Sequence, residues 1–230
     1  MEEQPFENQY YTALKIILLG EVFTGKTSLI NVYIKEKFNK DVETTTSPSY
    51  FSKLITVEGK NILINMWDTA GQEQFRSMNK IFIKNSNIIL FIYDITRKKT
   101  LTELTFWSKY VESCIEKDSA IYGIIGNKID LFDAEEELKK KSDEIVFVNT
   151  EEGKQFADQF GAYFLETSAK EGAPGFVKFI DKLVAEYMKI HMMENKENED
   201  LVHLVRDSAA SIKNQNVVKY IFYFSYFYIL

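Results

Sequence analysis

Residues 20–27 read Gly20-Glu21-Val22-Phe23-Thr24-Gly25-Lys26-Thr27. A glycine, four residues and then Gly-Lys-Thr constrain the fold as strongly as the ligand. The glycines let backbone N–H groups close around a polyphosphate. The lysine reaches the terminal phosphates, and the threonine hydroxyl can hold Mg²⁺. Such a loop needs a strand entering it and a helix leaving it, with the helix N-terminus facing the phosphates. The flanks supply both: Ala13–Leu19 is a mostly apolar run, and Thr27–Glu36 can form the helix. Gly20, Thr24, Gly25, Lys26, Thr27 and Ser28 are therefore candidate phosphate-binding residues. Thr27 doubles as a metal ligand and Lys26 as a charge that acts in the chemistry.

The segments that follow alternate in the same way. Tyr50–Val57 and Asn61–Trp67 flank Glu58-Gly59-Lys60, a hairpin turn. Ile88–Asp94, Tyr122–Asn127 and Tyr163–Thr167 complete six expected strands. Helices are expected over Leu101–Cys114, Glu151–Gln159 and Phe176–Met193, with Pro174 just ahead of the last, where it does little harm. Strand–helix alternation predicts an α/β fold in three layers: a mixed, mainly parallel six-stranded sheet with helices on both faces. Ala134–Ile145 reads AEEELKKKSDEI, with Glu135, Glu136 and Glu137 each four residues ahead of a lysine, and is expected as an exposed surface helix. The expected organisation is a loose arm over 1–12, a domain over 13–193 and a C-terminal tail over 194–230.

Composition removes several functions. An apolar fraction of 45% in 230 residues is enough for a buried core. Net charge is −6, with no basic stripe, so a nucleic-acid polymer is not an expected partner. The one cysteine, Cys114, makes no internal disulfide and fits a reducing, cytoplasmic compartment. Residues 1–12 are polar and acidic, unlike a signal peptide.

A phosphate loop leaves kinases, ATPases and GTPases open. Asn127-Lys128-Ile129-Asp130, at the end of an apolar strand, discriminates among them. The Asp130 carboxylate can accept from the two N–H donors on the Watson–Crick edge of guanine. Adenine lacks that pair, which argues against an ATP-dependent kinase. Asn127 would hold the loop and approach the purine N7, and the Lys128 stem can lie along the base and ribose. Ser168-Ala169-Lys170 follows another strand, and the small side chain lets the Ala169 N–H approach guanine O6.

In order, GEVFTGKT, WDTAGQE, YDIT, GNKID and ETSAK resemble the motifs of the Ras superfamily of small GTPases, most closely the Rab family. The resemblance covers about Leu14 to Met193. It implies a phosphate-loop NTPase G domain that binds GTP and GDP with Mg²⁺ and hydrolyses GTP as a monomeric switch. Asp68 resembles the carboxylate that holds Mg²⁺, here through water. Gly71 resembles the residue whose N–H binds the γ-phosphate, and Gln72 the glutamine that orients the attacking water. Ungapped spacing from Thr27 assigns Thr45 as the residue that reads γ-phosphate and Mg²⁺, with Thr44 and Thr46 beside it. Phe38 resembles the aromatic beside the guanine. Tyr50, Trp67 and Phe82 resemble the aromatic triad shown to effectors. An exchange factor, a GTPase-activating protein and effectors are the implied partners, and vesicle traffic the implied role.

Three features depart from the Rab pattern. Thr46-Ser47-Pro48-Ser49-Tyr50 replaces the usual Ile-Gly-Val-Asp-Phe type of sequence, so the effectors are open. Val22 and Phe23 stand where relatives carry small residues, which supports an alternative: a GTP-binding module with impaired turnover. The chain ends Tyr226-Phe227-Tyr228-Ile229-Leu230 with no cysteine to prenylate. Val217–Leu230 is fourteen residues with seven aromatics, too short to span a bilayer as a helix. Peripheral contact with endomembranes through these aromatics is one expectation. A tail packed on the domain, or a variant end, is the other.

Overall fold

The structure is a computed structural model that describes residues 12–39, 45, 49–69, 76–116, 119–140, 142 and 145–191. The arm, the tail beyond residue 191 and the expectations placed on them lie outside the described residues. The chain divides into two units, Met1–Ala185 and Glu186–Leu230. Of the second unit, residues 186–191 are described, and they are helical.

In chain order the elements are β1 (Thr12–Leu19), α1 (Lys26–Lys35), β2 (Ser49–Val57), β3 (Lys60–Asp68), α2 (Arg76–Ile83), β4 (Ile88–Asp94), α3 (Lys98–Glu112) and β5 (Ile121–Asn127). A 3₁₀ turn (Ile129–Ala134), α4 (Glu135–Lys139), α5 (Thr150–Gln159), β6 (Tyr163–Thr167) and α6 (176–191) follow. The sheet order is β2-β3-β1-β4-β5-β6. Among the described residues only the β2–β3 hairpin is antiparallel, and the other strand pairs are parallel. The expected fold class is borne out.

The sequence explains the order. A strand covered on both faces is apolar throughout, and β4 (IILFIYD) is buried at every residue. The edge strand β2 alternates exposed and half-buried positions. Successive side chains of β1 point to opposite faces. Ile17 and Leu19 join Trp107, Leu104, Val111 and Ala157, contributed by α3 and α5. The opposite face carries α1 and α6, where Tyr33 meets Phe176 edge-on at 5.8 Å. Gly123 leaves room there for Phe179 and Leu183, which lie 3.1 and 3.3 Å from where a Cβ would stand.

Three expectations change. Helix α2 was not foreseen: Met78, Ile81 and Phe82 stand at helical spacing, but eight residues are shorter than the stretch over which that spacing decides a helix. The surface helix expected over Ala134–Ile145 shrinks to the five residues of α4 behind a 3₁₀ turn, although the Glu135–Lys139 pair forms. Helix α3 runs from Lys98 to Glu112, so Cys114 lies beyond its end rather than inside it. The register then places function. Asp94 pairs with Asn127 across β4 and β5, Asn127 with Thr167 across β5 and β6, and Leu18 with Asp68 across β1 and β3. Every motif thus opens at the C-terminal edge of the sheet, where ligands of parallel α/β sheets bind.

Candidate functional site

At that edge lies a pocket of about 370 Å³. Val22, Phe23, Gly25, Lys26, Thr27 and Ser28 line one side of it. Phe38, Asn39 and Thr45 come from the chain between α1 and β2. Thr69, Asn127, Lys128, Asp130, Leu131, Ala169 and Lys170 complete the wall. Five separate stretches of sequence therefore line one pocket. Asn39, Thr69 and Leu131 were not foreseen. Of these, Thr69 had a signal, since it follows Asp68 directly; its hydroxyl donates to Leu18 O at 2.6 Å and ties β3 to β1.

The phosphate loop needs its glycines. Gly20 has φ +144° and Gly25 φ +95°. A Cβ on Gly20 would stand 2.2 Å from Ile92 O, and one on Gly25 2.2 Å from Asn127 Nδ2. Gly25 also caps α1 without any side-chain hydrogen bond, which leaves the N–H groups of the first turn to an anion. Lys26, 5% exposed, donates to Gly20 O and Glu21 O at 2.9 Å each. Burial pulls its ammonium down to about 8, against the opposing charges of Asp68 and Glu21.

The polar groups beyond Lys26 form a second cluster. Asp68 Oδ2 accepts from Thr27 Oγ1 at 2.6 Å and Thr45 Oγ1 at 3.3 Å, and the two hydroxyls lie 2.8 Å apart. Asp68 Oδ1 is buried with no protein partner. Burial raises the Asp68 carboxyl, opposed by the Thr27 hydrogen bond and the Lys26 charge. One carboxylate and two hydroxyls suit a hard divalent cation, whose other ligands come from phosphate and water. Among the described residues no group of three or more His, Cys, Asp or Glu side chains converges, so no all-protein cage competes with this set.

The opposite end of the pocket is held by Asn127. Its Nδ2 donates to Thr24 O at 2.8 Å, and its Oδ1 accepts from Ala169 N at 3.0 Å. One amide therefore links the phosphate loop to the Ser168–Lys170 turn. The Ala169 N–H, expected to face guanine O6, is engaged by this bond, so any contact to a base has to share it. Asp130 accepts from Ser168 Oγ at 2.6 Å and from Lys170 Nζ at 3.2 Å, which fixes its carboxylate at the pocket wall. Lys128, at φ +74°, directs Nζ to Asp94 Oδ2 at 2.6 Å. Gly71 and Gln72 lie outside the described residues.

On the outer face Tyr50 and Trp67 meet at 5.1 Å between centroids, and Trp67 and Phe82 at 5.2 Å. The three aromatics are contiguous. Tyr50 Oη also donates to Asn65 Oδ1 at 2.7 Å.

A phosphate loop on a doubly covered sheet, with an Asn-Lys-x-Asp turn two strands away, defines a guanine-nucleotide-binding P-loop protein. A model of the Ras family matches residues 15–196, and the chain belongs to that family of small GTPases. It is similar to the GTP-binding protein YPT52 of Saccharomyces cerevisiae (strain ATCC 204508 / S288c), at 31% identity over 175 residues. Those residues cover 69% of this chain and 75% of that protein. Guanine-nucleotide binding and GTP hydrolysis follow from the family, as do exchange factors, activating proteins and effectors as general partners. Among the described residues no helix is long and apolar enough to cross a membrane.

Proposed function

We propose that this protein is a Rab-like switch of vesicle traffic whose pocket holds GTP or GDP with Mg²⁺. The observation that carries the proposal is the convergence of the phosphate loop, Thr45, the Asn127–Asp130 turn and the Ser168–Lys170 turn on one pocket. Asp130 would accept from guanine, exchanging its bond to Lys170 for the base donors. Asn127 would keep the two loops together while its second amide hydrogen faces the purine. Phe38 and the Lys128 stem would flank the base, and Lys26 would leave the two carbonyls of its own loop for phosphate oxygens.

Thr27 and Thr45 would ligate Mg²⁺, with Asp68 holding a water of its shell through the unpartnered Oδ1. The metal, when bound, neutralises charge on the β and γ phosphate oxygens. Gly71 and Gln72 would contribute the γ-phosphate contact and the orientation of water. Loss of that phosphate removes the reason for Thr45 to stay beside Thr27, and the chain between α1 and β2 would relax. Tyr50, Trp67 and Phe82 would report the change to effectors. The resemblance to YPT52 supports the Rab-like reading.

Two measurements test this. Competition binding should show GTP and GDP displacing a fluorescent guanine nucleotide while ATP does not; tight ATP binding would overturn the base assignment. Single-turnover hydrolysis should be slow and should require Mg²⁺. GTP held without turnover in Mg²⁺ would instead favour a non-catalytic module, with Val22 and Phe23 as the residues to revert.

A further inference from the structure

Asp94 closes β4 with a carboxylate 1% exposed. Its Oδ1 accepts from Thr96 N at 3.0 Å and Thr96 Oγ1 at 2.8 Å. Its Oδ2 accepts from Lys128 Nζ at 2.6 Å and Arg97 Nε at 3.0 Å. The same guanidinium donates through Nη2 to the carbonyl oxygen of Val22 at 3.0 Å. One buried anion thus holds two cations. Lys128 belongs to the base loop, and Arg97 reaches the phosphate loop.

The tie to Val22 falls at a strained point. Phe23, the next residue, has φ +62° and is 64% exposed. A bulky side chain in the left-handed region is uncommon and persists only where its surroundings over-determine it. In a trans peptide the carbonyl and the following N–H point to opposite sides of the chain. A Val22 carbonyl held against Arg97 therefore turns the Phe23 N–H away from the guanidinium. That orientation is the kind a phosphate loop needs if its N–H groups are to gather on a polyphosphate.

Resting on the guanine-nucleotide reading above, we infer that Arg97 and Asp94 are positioning residues for the nucleotide. Asp94 holds Arg97 against the Val22 carbonyl and Lys128 at the base loop, so one buried ion cluster sets both halves of the pocket. Burial alone would push the Asp94 carboxyl up. The Lys128 charge, with hydrogen bonds from Lys128 and Thr96, outweighs burial and holds it below its ordinary value. The Asp94 carboxylate therefore stays ionised through the neutral range. A neutral amide at 97 cannot provide the charge, and a lysine there cannot serve Asp94 and Val22 with two nitrogens of one rigid plane.

The test is the dissociation rate of a fluorescent GDP analogue from the full chain, in Mg²⁺ and in EDTA, with ³¹P spectra of bound GDP. Arg97→Gln should release GDP about tenfold faster, the scale of one charge-assisted hydrogen bond. The factor should be the same in Mg²⁺ and EDTA, because Arg97 makes no bond to the Thr27–Asp68 cluster. The β-phosphate resonance should shift, a readout that a purely structural role would leave in place. Arg97→Lys should recover part of the loss. In a Phe23→Gly background, where the loop adopts positive φ without help, the Arg97→Gln factor should fall to about two- or threefold. Asp94→Asn should exceed Arg97→Gln; if it fails to fold, Arg97→Gln still decides. A parent protein that holds GDP, with an Arg97→Gln variant within twofold of its rate and an unshifted ³¹P spectrum, would overturn this inference alone. A parent that does not hold GDP would overturn it together with the functional reading.

Discussion

The two ends of the pocket are built on different terms. At the base end the protein bonds itself: Asn127 spends both ends of its amide on the phosphate loop and on Ala169, and both Asp130 oxygens have partners. At the proposed metal end Asp68 keeps a buried oxygen without a protein partner, and among the described residues Lys26 donates to the Gly20 and Glu21 carbonyls. Buried polar atoms are nearly always paired, so an orphan oxygen beside a buried ammonium marks capacity held for a ligand. A frame that is complete can choose a base. A frame that is incomplete responds to the arrival and loss of charge. The nucleotide would be selected at one end and its phosphorylation state read at the other.

The largest break should come from the metal end. Lys26→Met removes a cation and its charge-assisted bonds to two phosphates, at about 1.5–3 kcal/mol each. GTP affinity should fall on the order of a hundredfold or more, measured by titration of a fluorescent analogue. The pH dependence has a definite sign. The folded, ligand-free lysine loses its proton near 8, against 10.5 in the unfolded chain. Between those values the unfolded state binds more protons, so the stability of the ligand-free protein rises with pH. Phosphate binding needs the ammonium, so the parent's affinity should decline as pH climbs past 8. The ratio of parent to Lys26→Met affinity should therefore shrink between pH 7 and 9; a constant ratio would remove the buried-ammonium argument.

At the base end the expected loss is smaller, because one acceptor is removed and the frame remains. Asp130→Ala should cost about 1–3 kcal/mol, roughly five- to 150-fold in GTP affinity. Asp130→Asn should move preference towards xanthine nucleotides, whose edge complements an amide. Competition with XTP and GTP reads this directly. Equal weakening of both nucleotides by Asp130→Asn would mean that the carboxylate supports the turn and does not read the base.

What could be read from the sequence divides along the same line. The phosphate loop, Asn127–Asp130 and Ser168–Lys170 are contiguous strings whose spacing is their chemistry, and the structure brings all three to one pocket. The bonds that unite them join residues far apart in sequence. Arg97 meets Val22 across 75 positions, and Asn127 meets Thr24 across 103. No periodicity announces such a pair. Helix α2 escaped because eight residues carry too little pattern, and α4 stopped early because charge pairing stabilises a helix only slightly without an apolar face to bury. Conversely, the capping box at the start of α5, where Asn149 and Glu152 bond each other's backbone, was visible as an N-x-x-E string and was not used.

Gln72→Leu should leave GTP affinity near the parent's and slow single-turnover hydrolysis by about an order of magnitude or more, since phosphoryl transfer depends on positioning the attacking water. Slower hydrolysis with unchanged binding would separate reading the phosphate from cleaving it. An unchanged rate would take Gln72 out of the reaction.

The smallest effect should come from polar contacts that belong to neither end. Glu135 and Lys139 form an i,i+4 pair on α4, with side chains 33% and 50% exposed, while the Asp94 partner of Lys128 is 1% exposed. Water solvates the surface pair in both the folded and unfolded chain, and ordering two long side chains offsets most of the attraction. Glu135→Ala should cost about 0.3–0.5 kcal/mol. For a domain of this size that is roughly 1 °C in Tm, with GTP affinity unchanged. A drop of about 4 °C or more, or any loss of GTP binding, would show that α4 supports the Asn127–Asp130 turn that precedes it. The base-end frame would then extend through the 3₁₀ turn into this short helix, and the contrast between a completed base end and a solvated insertion would have to be redrawn.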